Sequence, residues 1–285
     1  MDPSRATLIS NVEILVVGPV SSANVSAVFI FGDSIFDAGN NHFNRNCSVQ
    51  ADFPPYGSSF FHRSTGRFTN GRTVADFISQ FLGIEFQKPF LEAQLAVMNG
   101  SRKDYPSNGI NFASAGSGVL QATNQDWGVI SIQQQLRQFQ ALVQENQAML
   151  AEVREFDRPN LQAWCSPHCS IFTRPCWVCS GKGPPARCTA GVFGAVYDIV
   201  QRFRAIPAQY RFSDVTNACC GDGTHGGLLQ CGREGYKICP NPNAFLFWDY
   251  FHPTEHAYKL ISRALWGGKS SRIRPVNLKT LASTP

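Results

Sequence analysis

The run Ala27–Phe31 (AVFIF) is apolar throughout and stops at Gly32, which is followed at once by Asp33 and Ser34. A short continuous apolar run of β-prone residues is typical of a strand that is buried on both faces. A glycine at its end indicates a tight turn. The pattern predicts an α/β protein with polar side chains placed at the end of a central strand, where catalytic groups are common.

The size and charge of the chain narrow the classes of protein it can be. With 285 residues, 43% hydrophobic and 16% charged, the chain is long enough to bury the core of one large α/β domain. The formal net charge is +5, but Lys and Arg are scattered and form no basic stripe with interleaved aromatics. We therefore expect no nucleic-acid partner. No apolar run reaches the eighteen or so residues of a membrane-spanning helix, so no membrane span is predicted either. The sequence says nothing about oligomeric state.

The N-terminal 26 residues resemble a weak or damaged secretion signal. Ile14–Val20 is apolar and precedes the small residues Ser21-Ser22-Ala23, but Asp2 and Glu13 interrupt the pattern. Ten cysteines suit an oxidising compartment. A secreted protein is expected, and three N-x-[ST] glycosylation sequons agree with it, at Asn24, Asn46 and Asn99.

Apolar periodicity predicts several further elements. The spacing of apolar residues indicates helices, and the last of them is preceded by Thr254, a suitable N-cap. The tail after the last helix, 268–285, is basic and rich in Gly and Ser, which favours a flexible end. The predicted elements are a helix over Thr73–Leu82, a strand and turn over Ile110–Gly118, a helix over Ile130–Val153, a strand near Val192–Val196 and a helix over Thr254–Trp266.

The segment 156–189 has a different composition from the rest of the chain. Prolines and cysteines dominate it, and no helical or strand period survives. The pairs Cys165/Cys169 and Cys176/Cys179 could form a small tetrahedral zinc site. An oxidising compartment favours disulfides over zinc thiolates, and the spacing fits no standard finger, so no metal or organic cofactor is predicted.

Ser34 is the first candidate catalytic residue. At a strand end that opens a helix, its own backbone N–H and those of its neighbours point to where negative charge builds up on a carbonyl oxygen under attack. The alternative is structural, because an isolated Gly-Asp-Ser triplet most often caps a helix.

Asp249 and His252, in the segment Trp248–Pro253 (WDYFHP), form the second candidate group. A carboxylate three residues ahead of a histidine can hold one ring nitrogen, so that the other accepts the proton of a serine hydroxyl. The alternative is an Asp and a His that bracket a turn before the proline. None of the other five histidines has a comparable sequence neighbourhood.

Five ordered motifs together resemble the plant GDSL-type esterase/lipase family. They are FGDSIFDAGNN, PPYGSSFFHRSTGRFTNGRTVADFISQFLG, GINFASAGSG, NACCG and FWDYFHPTEHAY, in the family's order. The resemblance covers roughly residues 27–150 and 190–267, the bulk of the chain. The resemblance implies a three-layer α/β sandwich of the SGNH-hydrolase, flavodoxin-like type, with a parallel sheet flanked by helices. It also implies hydrolysis of carboxylic esters by Ser34, with His252 as general base and Asp249 orienting His252. For the oxyanion hole it implies the Ser34 N–H and a glycine N–H, for which Gly116 is chosen and Gly118 is the alternative.

The family's third block, Gly-x-Asn-Asp, has no counterpart between Glu152 and Val192. The asparagine donor of the oxyanion hole and part of the central strands are therefore expected to be missing. The interpretation is a hydrolase domain over 27–267, with 156–189 as an aberrant segment, that acts on lipid or small acylated esters with reduced efficiency. The alternatives are a catalytically silent binding protein and a defective gene product.

Overall fold

The computed structural model describes residues 14–17, 25, 27–145 and 193–283. The predicted Cys/Pro-rich segment, its candidate zinc cysteines and the Asn24 sequon lie outside the described residues. The elements in chain order are β1 (Ile14–Val17), β2 (Ala27–Ile30), α1 (Asn40–Phe43), α2 (Val74–Leu82), β3 (Lys88–Pro89), α3 (Phe90–Met98), β4 (Ile110–Asn111), α4 (Ile132–Glu145), β5 (Phe193–Gly194), α5 (Val196–Ala205), β6 (Asp214–Ala218), β7 (Phe245–Phe247), α6 (Glu255–Gly267), β8 (Ile273–Arg274) and α7 (Leu278–Ala282).

Strand β2 lies at the centre of a layered core, as its apolar sequence predicts. Alternate side chains of a strand point to opposite faces of the sheet. Val28 and Ile30 pack with apolar residues of α2, α5 and α6, whereas Phe29 and Phe31 pack with residues of α3 and α4. All four are at most 5% exposed. The two faces of β2 are therefore covered by different helices, which confirms the predicted three-layer α/β arrangement.

Parallel pairing occurs in two separate sheets. The larger sheet has the order β1-β2-β4-β3, in which β2 and β3 both run parallel to β4 and β1 is antiparallel to β2. Strands β6 and β7 form a second, two-stranded parallel sheet. Strands β5 and β8 form an antiparallel pair. The parallel sheet predicted from the family resemblance is thus present in two pieces among the described residues, and no described strand bridges them.

The predicted helices are largely confirmed. Helix α2 begins after Thr73, which forms a capping box with Asp76, and α6 begins after Thr254, whose hydroxyl accepts a hydrogen bond from the Ala257 N–H. Helix α4 covers the first part of the predicted Gln-rich helix, and the remainder lies outside the described residues. The strand expected near residues 192–196 is only two residues long. Helix α5, which follows it directly, was not predicted.

The C-terminal residues differ from the flexible tail that composition suggested. Ile273 in β8 and Leu278 in α7 are each 2% exposed and belong to the core cluster on one face of β2. Asn277 caps α7 by accepting a hydrogen bond from the Thr280 N–H. These few apolar anchors hold the segment despite its basic composition. At the other end of the chain, residues 14–17 of the predicted leader pair as β1 with the edge of β2.

A buried ion pair fixes the segment between the turn at Ser34 and α2. Arg67 and Asp76 are 7% and 2% exposed, and two guanidinium nitrogens, Nε and Nη2, donate to the two carboxylate oxygens at 2.8 and 2.7 Å. Arg67 Nη1 also donates to the Ala38 carbonyl oxygen at 3.0 Å. The bidentate geometry and the extra acceptor compensate for the loss of hydration of both charges.

Asp76→Asn is expected to lower the free energy of unfolding by about 3–5 kcal/mol, because it leaves the Arg67 charge buried without its counter-charge. The control is Glu92→Gln in the exposed i,i+4 pair between Lys88 and Glu92. That change is expected to have an effect of about 0.5 kcal/mol or less. Urea denaturation of both variants measures the difference. Equal, small effects would mean that the buried pair contributes no more than a surface pair.

Candidate active site

The loop after β7 brings Asp249 and His252 together. His252 Nδ1 lies 2.8 Å from Asp249 Oδ1 and 2.9 Å from Oδ2. Asp249 Oδ1 also accepts hydrogen bonds from the backbone N–H groups of Phe251 and His252, at 2.8 and 2.7 Å. The loop is closed by the Trp248 N–H, which donates to the His252 carbonyl oxygen at 2.7 Å. The carboxylate is paired with Nδ1, so Nε2 is the ring nitrogen that can exchange a proton with another group.

Asp249 is held from its other side by Tyr56. The Tyr56 hydroxyl donates to Asp249 Oδ2 at 2.6 Å, and both residues are buried. Burial alone would raise the pKa of Asp249. The charge of His252 and the hydrogen bonds from His252, Tyr56 and the Phe251 N–H outweigh burial, so the pKa of Asp249 is lowered. The carboxylate is therefore ionised at neutral pH and fixed in direction.

Ser34 lies in a single helical turn at the end of β2 and does not begin a longer helix. The N–H groups of Phe36 and Asp37 donate to the Asp33 carbonyl oxygen at 3.1 and 3.0 Å. The expected helix stops there because Gly39 takes a φ of 124°, and a Cβ at Gly39 would lie 2.5 Å from the Thr65 carbonyl oxygen. Asp33, not Ser34, provides the side-chain cap, since its Oδ1 accepts from the Ile35 N–H at 3.0 Å.

No hydrogen bond within the described part of the chain gives Ser34 a structural role. The residue is half-buried, and within 27–145 and 193–283 its hydroxyl and its backbone N–H make no hydrogen bond. A serine that served only as a helix cap would accept a bond from the following backbone. Neither polar group of Ser34 is therefore bonded to another described residue after the strand.

Gly116 lies in the loop that follows the neighbouring parallel strand β4, and this loop bonds to Gly32 beside the Ser34 turn. The Ser114 N–H and the Ser117 hydroxyl both donate to the Gly32 carbonyl oxygen, at 3.0 and 2.8 Å. Gly116 has a φ of 86°, and a Cβ there would lie 3.1 Å from Val129 Cγ2. No acceptor for the Gly116 N–H is found in the described part of the chain. Gly118, the alternative donor, lies two residues further on, and a Cβ there would meet the Thr123 side chain at 2.8 Å.

The Ser34 turn and the Asp249–His252 loop share neighbours. Tyr258, in α6, is fully buried and interacts electrostatically with both Asp33 and Asp249. Burial and these two negative charges raise the pKa of Tyr258 well above its usual value. The segment 67–74 also contacts both sides, because the Thr69 hydroxyl donates to the Pro253 carbonyl oxygen at 3.1 Å and the Val74 N–H donates to that of Ile35 at 3.3 Å. No hydrogen bond joins Ser34 to His252 among the described residues.

Asp37 connects the Ser34 turn to the loop that contains Gly116. Its Oδ1 accepts hydrogen bonds from the N–H groups of Gly39 and Asn40, both at 2.7 Å, and its Oδ2 accepts from the Ala115 N–H at 2.9 Å. Burial raises the pKa of Asp37 to about 6, although these hydrogen bonds oppose the shift. The carboxyl group is fully buried.

The raised pKa of Asp37 predicts a pH dependence of stability. The ordinary pKa is 3.8 and the folded value is about 6, so between these values the folded chain binds more protons than the unfolded chain. The contribution of Asp37 to stability is therefore full below about pH 4 and is lost as the pH rises through about 6. The loss is on the order of 3 kcal/mol. Asp37→Asn should remove this component from a stability–pH profile measured by urea denaturation, and identical slopes in the two proteins would contradict the assignment.

The contact of Tyr56 with Asp249 and a second histidine–carboxylate pair were not predicted from the sequence. Tyr56 contacts Asp249 across 193 positions of the chain, a separation that no local pattern signals. His42 Nδ1 lies 2.9 Å from Asp52 Oδ2, so His252 is not the only histidine paired with a carboxylate. The His42 and Asp52 side chains are 45% and 35% exposed, which makes this a solvated pair of small energetic value.

Two disulfides support the loop that precedes the Asp249–His252 segment. Cys219 is bonded to Cys239 and Cys220 to Cys231. The N–H groups of Cys219 and Cys220 donate to the carbonyl oxygens of Phe247 and Trp248 at 2.9 and 2.7 Å. The covalent links thus hold the backbone immediately before Asp249.

Neither a metal cluster nor a membrane span is found in the part of the chain that the structure describes. No group of three or more His, Cys, Asp or Glu side chains there could hold a metal ion. None of the helices described is both long and apolar enough to cross a membrane.

Comparisons with known proteins identify a matching family and several similar plant proteins. Residues 28–170 match the model of a family described as GDSL-like Lipase/Acylhydrolase. The chain is 47% identical to "GDSL esterase/lipase 6" of Arabidopsis thaliana, over 95% of each chain. It is 30% identical to a "GDSL lipase" of Tanacetum cinerariifolium, over 94% of this chain and 90% of that protein.

The alignments also reveal a deletion relative to these proteins. The alignment with the Arabidopsis protein spans 346 positions, which is 61 more than the 285 residues of this chain. At least 61 aligned positions therefore have no residue here. The alignment with the Tanacetum lipase spans 340 positions, so at least 55 of its positions have no residue here.

Proposed function

The chain belongs to the GDSL-like lipase/acylhydrolase family of carboxylic ester hydrolases, and we propose that it cleaves esters of lipids or small acylated molecules with Ser34, His252 and Asp249. In this mechanism Ser34 Oγ attacks the ester carbonyl carbon while His252 Nε2 takes the hydroxyl proton. Asp249 keeps the other ring proton on Nδ1 and stabilises the imidazolium that forms.

The second half of the reaction returns the enzyme to its starting state. The tetrahedral intermediate collapses, and His252 gives its proton to the departing alcohol, which leaves an acyl group on Ser34. Water then attacks the acyl group, with His252 again as general base, and releases the carboxylic acid. No metal or organic cofactor takes part in these steps.

The N–H groups of Ser34 and Gly116 are the proposed donors to the oxyanion. Both lie at the ends of the parallel strands β2 and β4, and neither has another acceptor among the described residues. Donors that are already fixed stabilise developing negative charge without reorganising. The positive φ of Gly116 supports a glycine at this position.

The observation that carries the proposal is the buried contact of His252 Nδ1 with both oxygens of Asp249, at 2.8 and 2.9 Å. An Asp and a His that only bracketed a turn would not need Tyr56 as a further donor to the carboxylate. The Tyr56 hydroxyl and the N–H groups of Phe251 and His252 instead hold the Asp249 carboxylate in place. The carboxylate favours the tautomer of His252 that carries its proton on Nδ1, in which Nε2 is the base.

A specific observation favours a second candidate, a catalytically silent protein that retains the family's surface. The deletion relative to the Arabidopsis and Tanacetum proteins agrees with the missing third motif and its asparagine donor. Loss of one oxyanion donor lowers kcat by about 100- to 1000-fold. We therefore propose an impaired esterase as the first function and a silent binding protein as the second.

Labelling with a fluorophosphonate tests the proposed function. The reagent should become attached to Ser34 in the folded protein, identified by peptide mass spectrometry, and should fail to label Ser34→Ala or heat-denatured protein. An exposed serine outside the site, Ser213, serves as the internal reference for non-specific reaction. A folded protein that takes up no label at Ser34 would exclude the hydrolase mechanism and favour the silent protein.

The same proposal includes a secreted protein whose hydrolase domain spans 27–267. The two disulfides are consistent with an oxidising compartment. The sequon residues Asn46 and Asn99 are exposed and so accessible to glycosylation. Treatment of protein purified from a plant secretory host with an N-glycan-cleaving enzyme should lower its mass, and an unchanged mass would contradict glycosylation.

A further inference from the structure

The peptide group that joins Ala115 to Gly116 accepts a hydrogen bond from a buried side chain. Asn41 Nδ2 donates a hydrogen bond to the Ala115 carbonyl oxygen at 3.0 Å. A trans peptide is planar, and its C=O and N–H point in opposite directions. The bond that fixes the Ala115 carbonyl therefore also fixes the direction of the Gly116 N–H, which belongs to the same plane.

Asn41 is itself held so that its amide cannot turn over. Its other Nδ2 proton goes to the Val49 carbonyl oxygen at 3.0 Å, and its Oδ1 accepts from the Ser114 hydroxyl at 2.5 Å. The side chain is fully buried. With both donors and the acceptor used, a flipped amide would place NH₂ against one hydroxyl and oxygen against two carbonyls, a costly arrangement for buried groups.

The preceding peptide is fixed from the same loop. Asp37 Oδ2 accepts the Ala115 N–H at 2.9 Å, so the peptide planes on both sides of Ala115 are anchored to the segment that follows Ser34. Donation from Asn41 to the Ala115 carbonyl also polarises that peptide, which makes the Gly116 N–H a stronger donor.

We propose that Asn41 is a positioning residue. It directs the Gly116 N–H towards the oxyanion of the reaction and polarises this donor. This inference rests on the proposed function, because it takes the Gly116 N–H as an oxyanion donor. Asn41 does not touch the substrate and acts only through the Ala115–Gly116 peptide. The sequence has no counterpart of the family's asparagine donor, so the direction of the N–H groups of Ser34 and Gly116 has a larger effect on the rate.

Asn40 is a matched control for Asn41. It is 1% exposed, and its Nδ2 likewise donates to two carbonyl oxygens, those of Asn111 and Ala113, at 2.7 and 2.8 Å. Its Oδ1 accepts from the Leu91 N–H at 3.1 Å. Asn40 thus makes the same kinds of bonds at the same burial, but none of them reaches the Ala115–Gly116 peptide.

The kinetic test compares Asn41→Ala with Asn40→Ala. Misdirection of one donor is expected to lower kcat for a short-chain ester by about 10- to 100-fold in Asn41→Ala, with a much smaller change in KM. Binding of a trifluoromethyl ketone, which forms an oxyanion on Ser34, should weaken in parallel, whereas binding of the corresponding alcohol should not. Asn40→Ala should lose a similar amount of stability and keep kcat close to that of the unchanged protein.

A spectroscopic test does not depend on activity. The sequence contains three Ala-Gly pairs, Ala38-Gly39, Ala115-Gly116 and Ala190-Gly191, so ¹³C′-alanine and ¹⁵N-glycine labelling gives three signals. The Ala115-Gly116 signal, assigned by its loss in Ala115→Ser, should shift in Asn41→Ala and stay in place in Asn40→Ala. Ser114→Ala removes only the bond to Asn41 Oδ1 and the acceptor for the Ile130 N–H, and should cause a smaller shift even if Asn41→Ala does not fold.

The outcomes separate the two proposals. The proposed function is contradicted if the wild-type protein hydrolyses no ester and is not labelled by the phosphonate at Ser34. In that case the NMR signal of the Ala115–Gly116 peptide still shows whether Asn41 fixes the orientation of that peptide. Equal loss of kcat in the Asn41 and Asn40 variants, or an Ala115-Gly116 signal that stays in place in both the Asn41 and Ser114 variants, overturns the positioning role. A selective loss of kcat and of trifluoromethyl ketone binding, with the shifted signal, supports it.

Discussion

Ser34→Ala is expected to lower the rate of ester hydrolysis by roughly 10⁴- to 10⁶-fold, because the acyl intermediate forms on the Ser34 hydroxyl. The measurement is hydrolysis of a short-chain chromogenic ester by purified protein, with circular dichroism on both proteins. Removal of the Ser34 hydroxyl breaks no hydrogen bond within 27–145 and 193–283, so the fold should be unaffected. The difference in rate therefore reports chemistry and not stability.

The matched control for this measurement is Ser213→Ala. Ser213 is exposed and its hydroxyl donates only weakly, to the Ala244 carbonyl oxygen at 3.3 Å. The variant should hydrolyse the ester at the rate of the unchanged protein. Turnover that survives in Ser34→Ala would assign the nucleophile elsewhere. A folded but inactive unchanged protein would favour the silent binding protein, and an unfolded one would indicate a defective gene product.

Local patterns were sufficient to predict the elements that carry the candidate site. The apolar run Ala27–Phe31 became the doubly covered strand β2, and the caps Thr73 and Thr254 mark the starts of α2 and α6. In each case the information lies within a few residues, because strand burial and helix capping depend on neighbours in sequence. The pairing of His252 with Asp249 was predictable for the same reason, since three residues separate them.

The long-range parts of the site could not be predicted in this way. Tyr56 meets Asp249 across 193 positions of the chain. Asn41 and Asp37 meet the carbonyl oxygen and the N–H of Ala115 across 74 and 78 positions. Polar residues such as these carry no period that marks a partner. The C-terminal segment was misjudged for a related reason: Ile273 and Leu278 are too few to dominate its composition, yet they are enough to anchor it.

The local pattern was misleading at one place, the turn around Ser34. A serine after a strand and a glycine was expected to begin a helix, but the chain makes one turn and is then diverted by Gly39. The carboxylate of Asp37 takes up the N–H groups of Gly39 and Asn40 that a continuing helix would have used. The diverted chain is what brings Asn40 and Asn41 under the Gly116 loop. A broken helix is therefore a condition for the proposed oxyanion site.

Asp249→Asn is expected to lower kcat by about 10⁴-fold while the protein stays folded, because an amide can donate to His252 Nδ1 and so favours the tautomer with the proton on Nε2. In that tautomer Nε2 cannot accept the proton of Ser34. The amide oxygen can still accept the N–H groups of Phe251 and His252, which preserves the loop. Ester hydrolysis and circular dichroism measure the two effects separately.

Asp214→Asn is the control that shares the local geometry of Asp249. Asp214 Oδ1 accepts the backbone N–H groups of Thr216 and Asn217 at 2.9 and 2.8 Å, in a turn like that of Asp249, but no histidine is bonded to it in the described residues. Its replacement should leave kcat unchanged.

The lowered pKa of Asp249 also predicts a pH dependence of stability. The carboxylate stabilises the fold at pH values above its ordinary pKa of 3.8, and this contribution is lost as the pH falls through the lower pKa of the folded state. Asp249→Asn should therefore flatten the acid limb of the stability profile together with the loss of kcat, and equal activity of the Asp249 and Asp214 variants would remove Asp249 from the mechanism.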